Sequence, residues 1–255
     1  MGSPIRLVVG LGNPGREHER DRHNVGFWLL DRLAAREKLE LRKDAKYHAL
    51  CARFAGPAGD VWLLAPQTYM NLSGKAVGAL ARFFKITPEE TLVVHDELDF
   101  LPGTAKLKQG GGAGGHNGLK DIQAAFGSQD YWRVRVGIGH PGDRDLVADY
   151  VLGSPSPDDR TAIEASLDKV VECMPLMLAG DMTAAMVKLH SKDKPRNKGP
   201  ATPPGAGGPG APGTATASAQ ATTAQATAAQ ATAAQTTATA PNPATAPANP
   251  GKPQD

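Results

Sequence analysis

Apolar positions along this chain follow the two periods of regular structure up to residue 194 and then cease. Residues 5–9 form a short apolar run ending at a glycine, the pattern of a buried strand that enters a tight turn at 10–15. Val25, Trp28, Leu29 and Leu33 then recur at helical spacing behind Asn24, a candidate cap, and predict a helix over 24–38. Residues 49–54 and 61–65 read as two strands joined through a Gly- and Pro-bearing turn at 55–60, which makes a hairpin. Ser73, a candidate helix cap, opens a second helical pattern with Val77, Leu80, Ala81 and Phe84 on one face and Pro88 closing the segment. A third apolar strand at 91–94 runs out on His95 and Asp96.

Two further strands are predicted at 104–108 and 133–138, the second with Val134, Val136 and Ile138 on one face and Arg133 and Arg135 on the other. Between them lies a Gly-rich stretch, 110–118, and Leu119, Ile122 and Phe126 mark a helix that starts near Asn117. Helices over 158–179 and 183–190 complete the pattern. Strands interleaved with helices predict an α/β fold, and the hairpin makes its sheet mixed rather than purely parallel. The expectation is a single domain over 1–194, a mixed twisted sheet flanked by helices. In open sheets of this kind ligands gather at the carboxyl ends of strands, and Asn13 and Asp96 both follow such ends.

Composition changes this picture at the C-terminus. From Pro195 onward there is no Val, Ile, Leu, Met, Phe, Trp, Tyr or Cys, only Pro-Gly clusters and repeats of the Ala-Thr-Ala-Ala-Gln type. Such a segment cannot offset the entropy of ordering its backbone, so 195–255 is expected to be a disordered, solvated tether. The formal charge of +2 resides there too, in Arg196, Lys198 and Lys252 against Asp255, which leaves the folded part neutral. A nucleic-acid partner would therefore have to be held by a local patch of cations and not by overall charge. Two cysteines, Cys51 and Cys173, make neither a disulfide framework nor a zinc site. The N-terminus lacks the apolar core of a signal peptide and no apolar run is long enough to span a bilayer, so no membrane partner and a cytoplasmic location are expected.

Five motifs carry candidate chemistry. Gly10-Leu11-Gly12-Asn13-Pro14-Gly15 has the spacing of a dinucleotide-binding turn, but the helical pattern starts only at Val25 and no strand ends in an acid at the required distance, which sets that reading aside. Arg22-His23-Asn24 supplies an imidazole in front of a helix, a general base if a partner orients it. His95-Asp96-Glu97-Leu98-Asp99 offers the partner, with Asp96 the candidate. The same stretch gathers a His and three carboxylates, but successive strand residues point to opposite sides, so a metal site there is not expected. Gly110-Gly111-Gly112-Ala113-Gly114-Gly115-His116-Asn117-Gly118 is no nucleotide-binding P-loop, yet its backbone N–H groups beside a helix start suit an anion or a carbonyl oxygen. In 67–75, Asn71 stands just before the helix and is free to point elsewhere.

These segments, together with Met70-Asn71-Leu72-Ser73-Gly74-Lys75 and Gly137-Ile138-Gly139-His140-Pro141, occur in an order and at a spacing that resemble the bacterial peptidyl-tRNA hydrolases over about 5–190. The resemblance implies a monomeric α/β hydrolase that cuts the ester of N-blocked aminoacyl-tRNA without metal or cofactor. It implies His23 as base, Asp96 as its orienting carboxylate, and Tyr69, Asn71 and Asn117 as substrate contacts, with Met70 and His116 beside them. Asn13 resembles the asparagine associated with rejecting aminoacyl-tRNA whose amino group is free. His18 stands where the family usually carries Tyr, so the corresponding tRNA contact would have to be made by an imidazole.

The expected reaction is attack by water on the ester carbonyl. Neutral His23 takes the proton, Asp96 fixes its tautomer, and Asn71 or Asn117 stabilises the oxyanion, a contribution of about 3 kcal/mol per donor. Lys106, Lys108, Arg133 and Arg135 are the candidate phosphate contacts. The alternative is a non-catalytic RNA-binding relative of the same fold.

Overall fold

The computed structural model describes residues 2–191. The expected tail, 195–255, lies outside the described residues. Seven strands form one sheet: β1 (Leu7–Gly10), β2 (Arg42–Asp44), β3 (Ala49–Gly56), β4 (Gly59–Pro66), β5 (Thr91–Glu97), β6 (Ala105–Gln109) and β7 (Trp132–Gly137), in the order β2-β3-β4-β1-β5-β7-β6. The central four pair in parallel, whereas β2, β3 and β6 join antiparallel, so the sheet is mixed as the hairpin requires.

Among the described residues six α-helices cover it: α1 (Val25–Glu37), α2 (Ser73–Phe84), α3 (Asn117–Phe126), α4 (Val147–Val151), α5 (Pro157–Leu178) and α6 (Met182–His190). The central strands are buried on both sides. Val8, Leu92, Val94, Val134 and Val136 pack with α1, α5 and α6, while Leu7, Val9, Leu64 and Val93 pack with α2 and α3. No helix among the described residues is long and apolar enough to cross a membrane.

Two elements had no signal of their own. β2 is three polar residues, Arg-Lys-Asp, at the sheet's edge, where charge discourages further pairing and no alternation is needed. α4 is five residues long, too short to show a period. Two expected caps are also corrected. Ser73 is the first residue inside α2 and its hydroxyl donates to the Met70 carbonyl at 2.8 Å. The Asn24 side chain caps nothing in α1. Instead it exchanges two 2.9 Å hydrogen bonds with the backbone of Asn13.

One close approach positions everything that follows. A Cβ added at Gly10 would lie 2.3 Å from the Gly26 carbonyl oxygen, and one added at Gly26 would lie 2.2 Å from the Leu11 nitrogen. Helix α1 therefore rests directly on the end of β1, and the residues just before it are carried to the carboxyl edge of the sheet. The glycines of the turn at 10–15 that imitate a dinucleotide fingerprint serve, at Gly10, to let helix and strand touch.

Candidate active site

Strand β5 continues to Glu97, past the expected end at Val94, so His95 and Asp96 are paired strand residues opposite Arg135 and Val136. Alternation then separates them. Asp96 shares the face of Val94, toward α1, while His95 and Glu97 share the face of Arg133 and Arg135. His23 comes from the single 3-10 turn Arg22–Asn24 ahead of α1, and its Nδ1–H donates to Asp96 Oδ1 at 2.8 Å. The second partner comes from the Gly-rich loop. Gly114 and Gly115, with φ of 59° and 87°, turn the backbone so that His116 caps α3 and its Nε2–H donates to the same Asp96 oxygen at 3.0 Å.

An ionised carboxylate only accepts, so both imidazole nitrogens facing it carry protons. For His116 this agrees with the other side of the ring, where Nδ1 accepts the Leu119 N–H at 3.4 Å. For His23 it leaves Nε2 as the free lone pair. Burial lowers the His23 pKa, but the Asp96 charge, its hydrogen bond and the more distant Asp21 outweigh this, and the net shift is upward from 6.5. Burial pushes Asp96 up, yet the two histidines hold its carboxyl well below the usual carboxylate range. His95 is enclosed, and burial, with His116 beside it, pushes its pKa down to about 3; it stays neutral and its Nδ1–H donates to the Asp96 carbonyl at 2.7 Å.

His23, Asp96 and His116 each present one ligand atom within 4.8 Å of the others, a donor set able to hold a divalent ion. This is a different trio from the 95–99 stretch considered in the sequence, and His23 Nδ1 and His116 Nε2 are engaged as two donors on one carboxylate oxygen while His23 Nε2 stays free.

Of the three asparagines, Asn117 lines the cavity beside this hub, whereas Asn13 and Asn71 do not. Asn13 is buried, and its Oδ1 accepts the Met70 N–H at 2.8 Å. That fixes which end of the amide is which, leaving Nδ2–H2 without a protein acceptor among the described residues. Met70 is a buried core side chain whose sulfur meets the start of α3, since a Cβ on Gly118 would lie 2.6 Å from it. The turn Met70–Leu72 is thus held against α3, which brings exposed Asn71 and exposed Asn117 to neighbouring elements. Tyr69 is 64% exposed. His18 is engaged away from the hub, its Nδ1 2.7 Å from Asp21 Oδ2.

The candidate phosphate cations share one sheet face, with Lys106 opposite Arg135 and Lys108 opposite Arg133. They are not equivalent. Arg133 is buried and its guanidinium donates to the carbonyls of Gly110 and Gly112, so its charge is committed to the Gly-rich loop, a correction to its place among surface cations. Arg135 is paired to Glu97 at 2.7 Å. Lys106 and Lys108 are exposed and carry no ion pair among the described residues. A cavity of about 790 Å³ runs from His23, Asp96 and His116 past Lys108, Arg133 and Arg135 to His140, Arg144 and the apolar wall of α4; Lys106 does not line it. Sequence reasoning missed the His116–Asp96 bond, the Asn13–Asn24 exchange and the α4 wall. All three depend on long-range contacts; only the proximity of His116 to a Gly-rich turn hinted at the first.

Against this geometry, a family model described as peptidyl-tRNA hydrolase matches residues 7–197. The chain belongs to the peptidyl-tRNA hydrolase family. A peptidyl-tRNA hydrolase of Leptothrix cholodnii is 58% identical over 203 residues, covering 79% of this chain and 95% of that one. A Neisseria meningitidis serogroup B peptidyl-tRNA hydrolase is 56% identical over 192 residues, 75% of this chain and 100% of its own. Among solved structures, the peptidyl-tRNA hydrolase of Acinetobacter baumannii superposes with a TM-score of 0.72 at 41% identity, covering 75% of this chain and 97% of that one. The superposition with the solved structure agrees with the mixed sheet described above.

Proposed function

We propose that this chain, an enzyme by its family, hydrolyses the ester of peptidyl-tRNA with His23 as general base and Asp96 as its orienting carboxylate, acting as a monomer in the cytoplasm. Membership of the peptidyl-tRNA hydrolase family supplies the activity. The single observation that carries the mechanism is the 2.8 Å bond from His23 Nδ1 to buried Asp96, which leaves Nε2 as a lone pair facing the cavity. Water placed between Nε2 and the ester carbonyl gives its proton to His23 as its oxygen bonds to carbon. The ribose oxygen then leaves and takes that proton, so the base is restored and no covalent enzyme intermediate is needed.

Asparagine side chains supply uncharged polarity for the reacting group, and Asn71 or Asn117 donates to the developing oxyanion, a role supported for Asn117 by its place in the cavity wall. Asn13 has a different task. Its fixed Nδ2–H2 is a donor, which suits the carbonyl of an acylated amino group and disfavours an ammonium. In the presence of a chelator, N-acetyl-aminoacyl-tRNA should be cleaved rapidly while unacetylated aminoacyl-tRNA survives. Failure to cleave the blocked substrate, with tRNA still bound, would favour the non-catalytic RNA-binding alternative, and loss of activity only in chelator would give the His23, Asp96 and His116 trio to a metal.

Lys108 and Lys106, whose ammonium lies over the Phe100 ring, are exposed cations of the basic face, and phosphate contacts by both predict a salt-sensitive tRNA affinity. Replacing both by Ala should flatten the dependence of log K on log[salt] by about 1.5 in slope. An unchanged slope would place the phosphates elsewhere.

A further inference from the structure

We infer that Arg22 is a positioning residue for the hydrolytic reaction, strapping the turn that carries His23 to the α4 wall of the cavity. The inference rests on His23 being the base. Arg22 precedes His23 in the chain, but its side chain runs the opposite way. Its Nη1 donates to the carbonyls of Tyr150 at 3.1 Å and Gly153 at 3.0 Å, at the C-terminal end of α4, and its backbone N–H donates to Gly153 as well, at 3.1 Å. The guanidinium carbon stands 4.0 Å from the centre of the Tyr150 ring. Carbonyls at a helix end carry partial negative charge and a ring face is electron-rich, so both favour a cation here.

Tyr150 passes the strap on. Its hydroxyl donates to the Ile138 carbonyl at 2.7 Å, immediately after β7, and β7 pairs in register with β5, which holds Asp96. The contacts therefore close a ring: His23 to Asp96 on β5, β5 to β7, Ile138 to Tyr150, Tyr150 to Arg22, and Arg22 back to His23 by a peptide bond. Val147, Ala148 and Val151 of the strapped helix line the same cavity as His23 and Asp96. With Arg22 in place, the base and the far wall cannot shift independently.

The charged and titratable groups facing His23 are Asp96 on β5, His116 ahead of α3 and Asp21 in its own turn, and Arg22 acts on the ring through its placement against these. The test is turnover of N-acetyl-aminoacyl-tRNA by the full chain bearing Arg22→Ala, Arg22→Lys or Tyr150→Phe, with His23→Asn alongside. Arg22→Ala should lose ten- to a hundredfold in kcat with a smaller change in KM, and the acid limb of its pH profile should move to lower pH as the Asp96 contact loosens. Arg22→Lys should recover part of both, and Tyr150→Phe should move both in the same direction by less; these two carry the test if Arg22→Ala does not fold. Wild-type kcat and an unmoved limb, or a loss that merely tracks the folded fraction, would overturn the inference. If His23→Asn is inactive while the Arg22 variants are normal, the strap alone fails; if His23→Asn turns over normally, the underlying assignment of the base fails first.

Discussion

Asp96→Asn should reduce kcat on N-acetyl-aminoacyl-tRNA by about 10³ to 10⁴, with little loss of fold. The substituted amide keeps the shape of the carboxylate but not its charge, and two imidazoles now face it where each had donated to one anionic oxygen. At least one ring must turn or change tautomer, and the free lone pair of His23 is no longer assured. The pH profile carries a second signature. Asp96 outweighs burial to raise the His23 pKa above 6.5, so in the wild type the neutral, active base accumulates as pH rises through that elevated value. Without the carboxylate charge, burial is left to lower the pKa, and the residual activity of the variant should reach its plateau at lower pH. An acid limb that stays in place would mean that the titrating group is not His23 held by Asp96.

Gly26→Ala should cost the fold about 3 kcal/mol and turnover roughly a hundredfold, from one methyl group wedged between α1 and the strand ends. Alanine in a helix ordinarily gains about 1 kcal/mol over glycine. Here the added carbon would lie 2.2 Å and 2.5 Å from the nitrogen and oxygen of Leu11 and 2.6 Å from the Val94 oxygen, all backbone atoms that cannot swing aside. The steric term wins. Helix α1 has to lift by roughly 1 Å from close-packed contact, and it takes His23 with it. The melting temperature should fall by roughly 6–12 °C. Unchanged melting together with unchanged turnover would show that α1 sits on β1 less tightly than the Gly10–Gly26 contact requires.

Helix α1 also illustrates what could be read from the sequence. Its apolar spacing gave its place within a residue or so, and the strand into which Asp96 runs was visible in the apolar run at 91–94. Elements with a buried face announce themselves, because burial imposes a period. β2 and α4 did not, being a polar edge and a single short turn. The pairing of His23 with Asp96 was legible as chemistry, a base in need of a carboxylate, although the residues stand 73 positions apart. His116 was placed among substrate contacts, yet it reaches the same carboxylate, since no spacing rule indicates which loop folds over which strand end. Arg133 and Arg135 were equally cationic in the sequence, but one is buried against the Gly-rich loop and the other paired with Glu97. Neither difference could be inferred from alternation along β7.

The central claim is that His23 is the base, and single-turnover cleavage of N-acetyl-aminoacyl-tRNA by His23→Asn, with chelator present and enzyme in excess, tests it most directly. The account predicts a rate lower than wild type by about 10² to 10⁴ with tRNA binding retained, whereas a near-normal rate from a folded variant would contradict it.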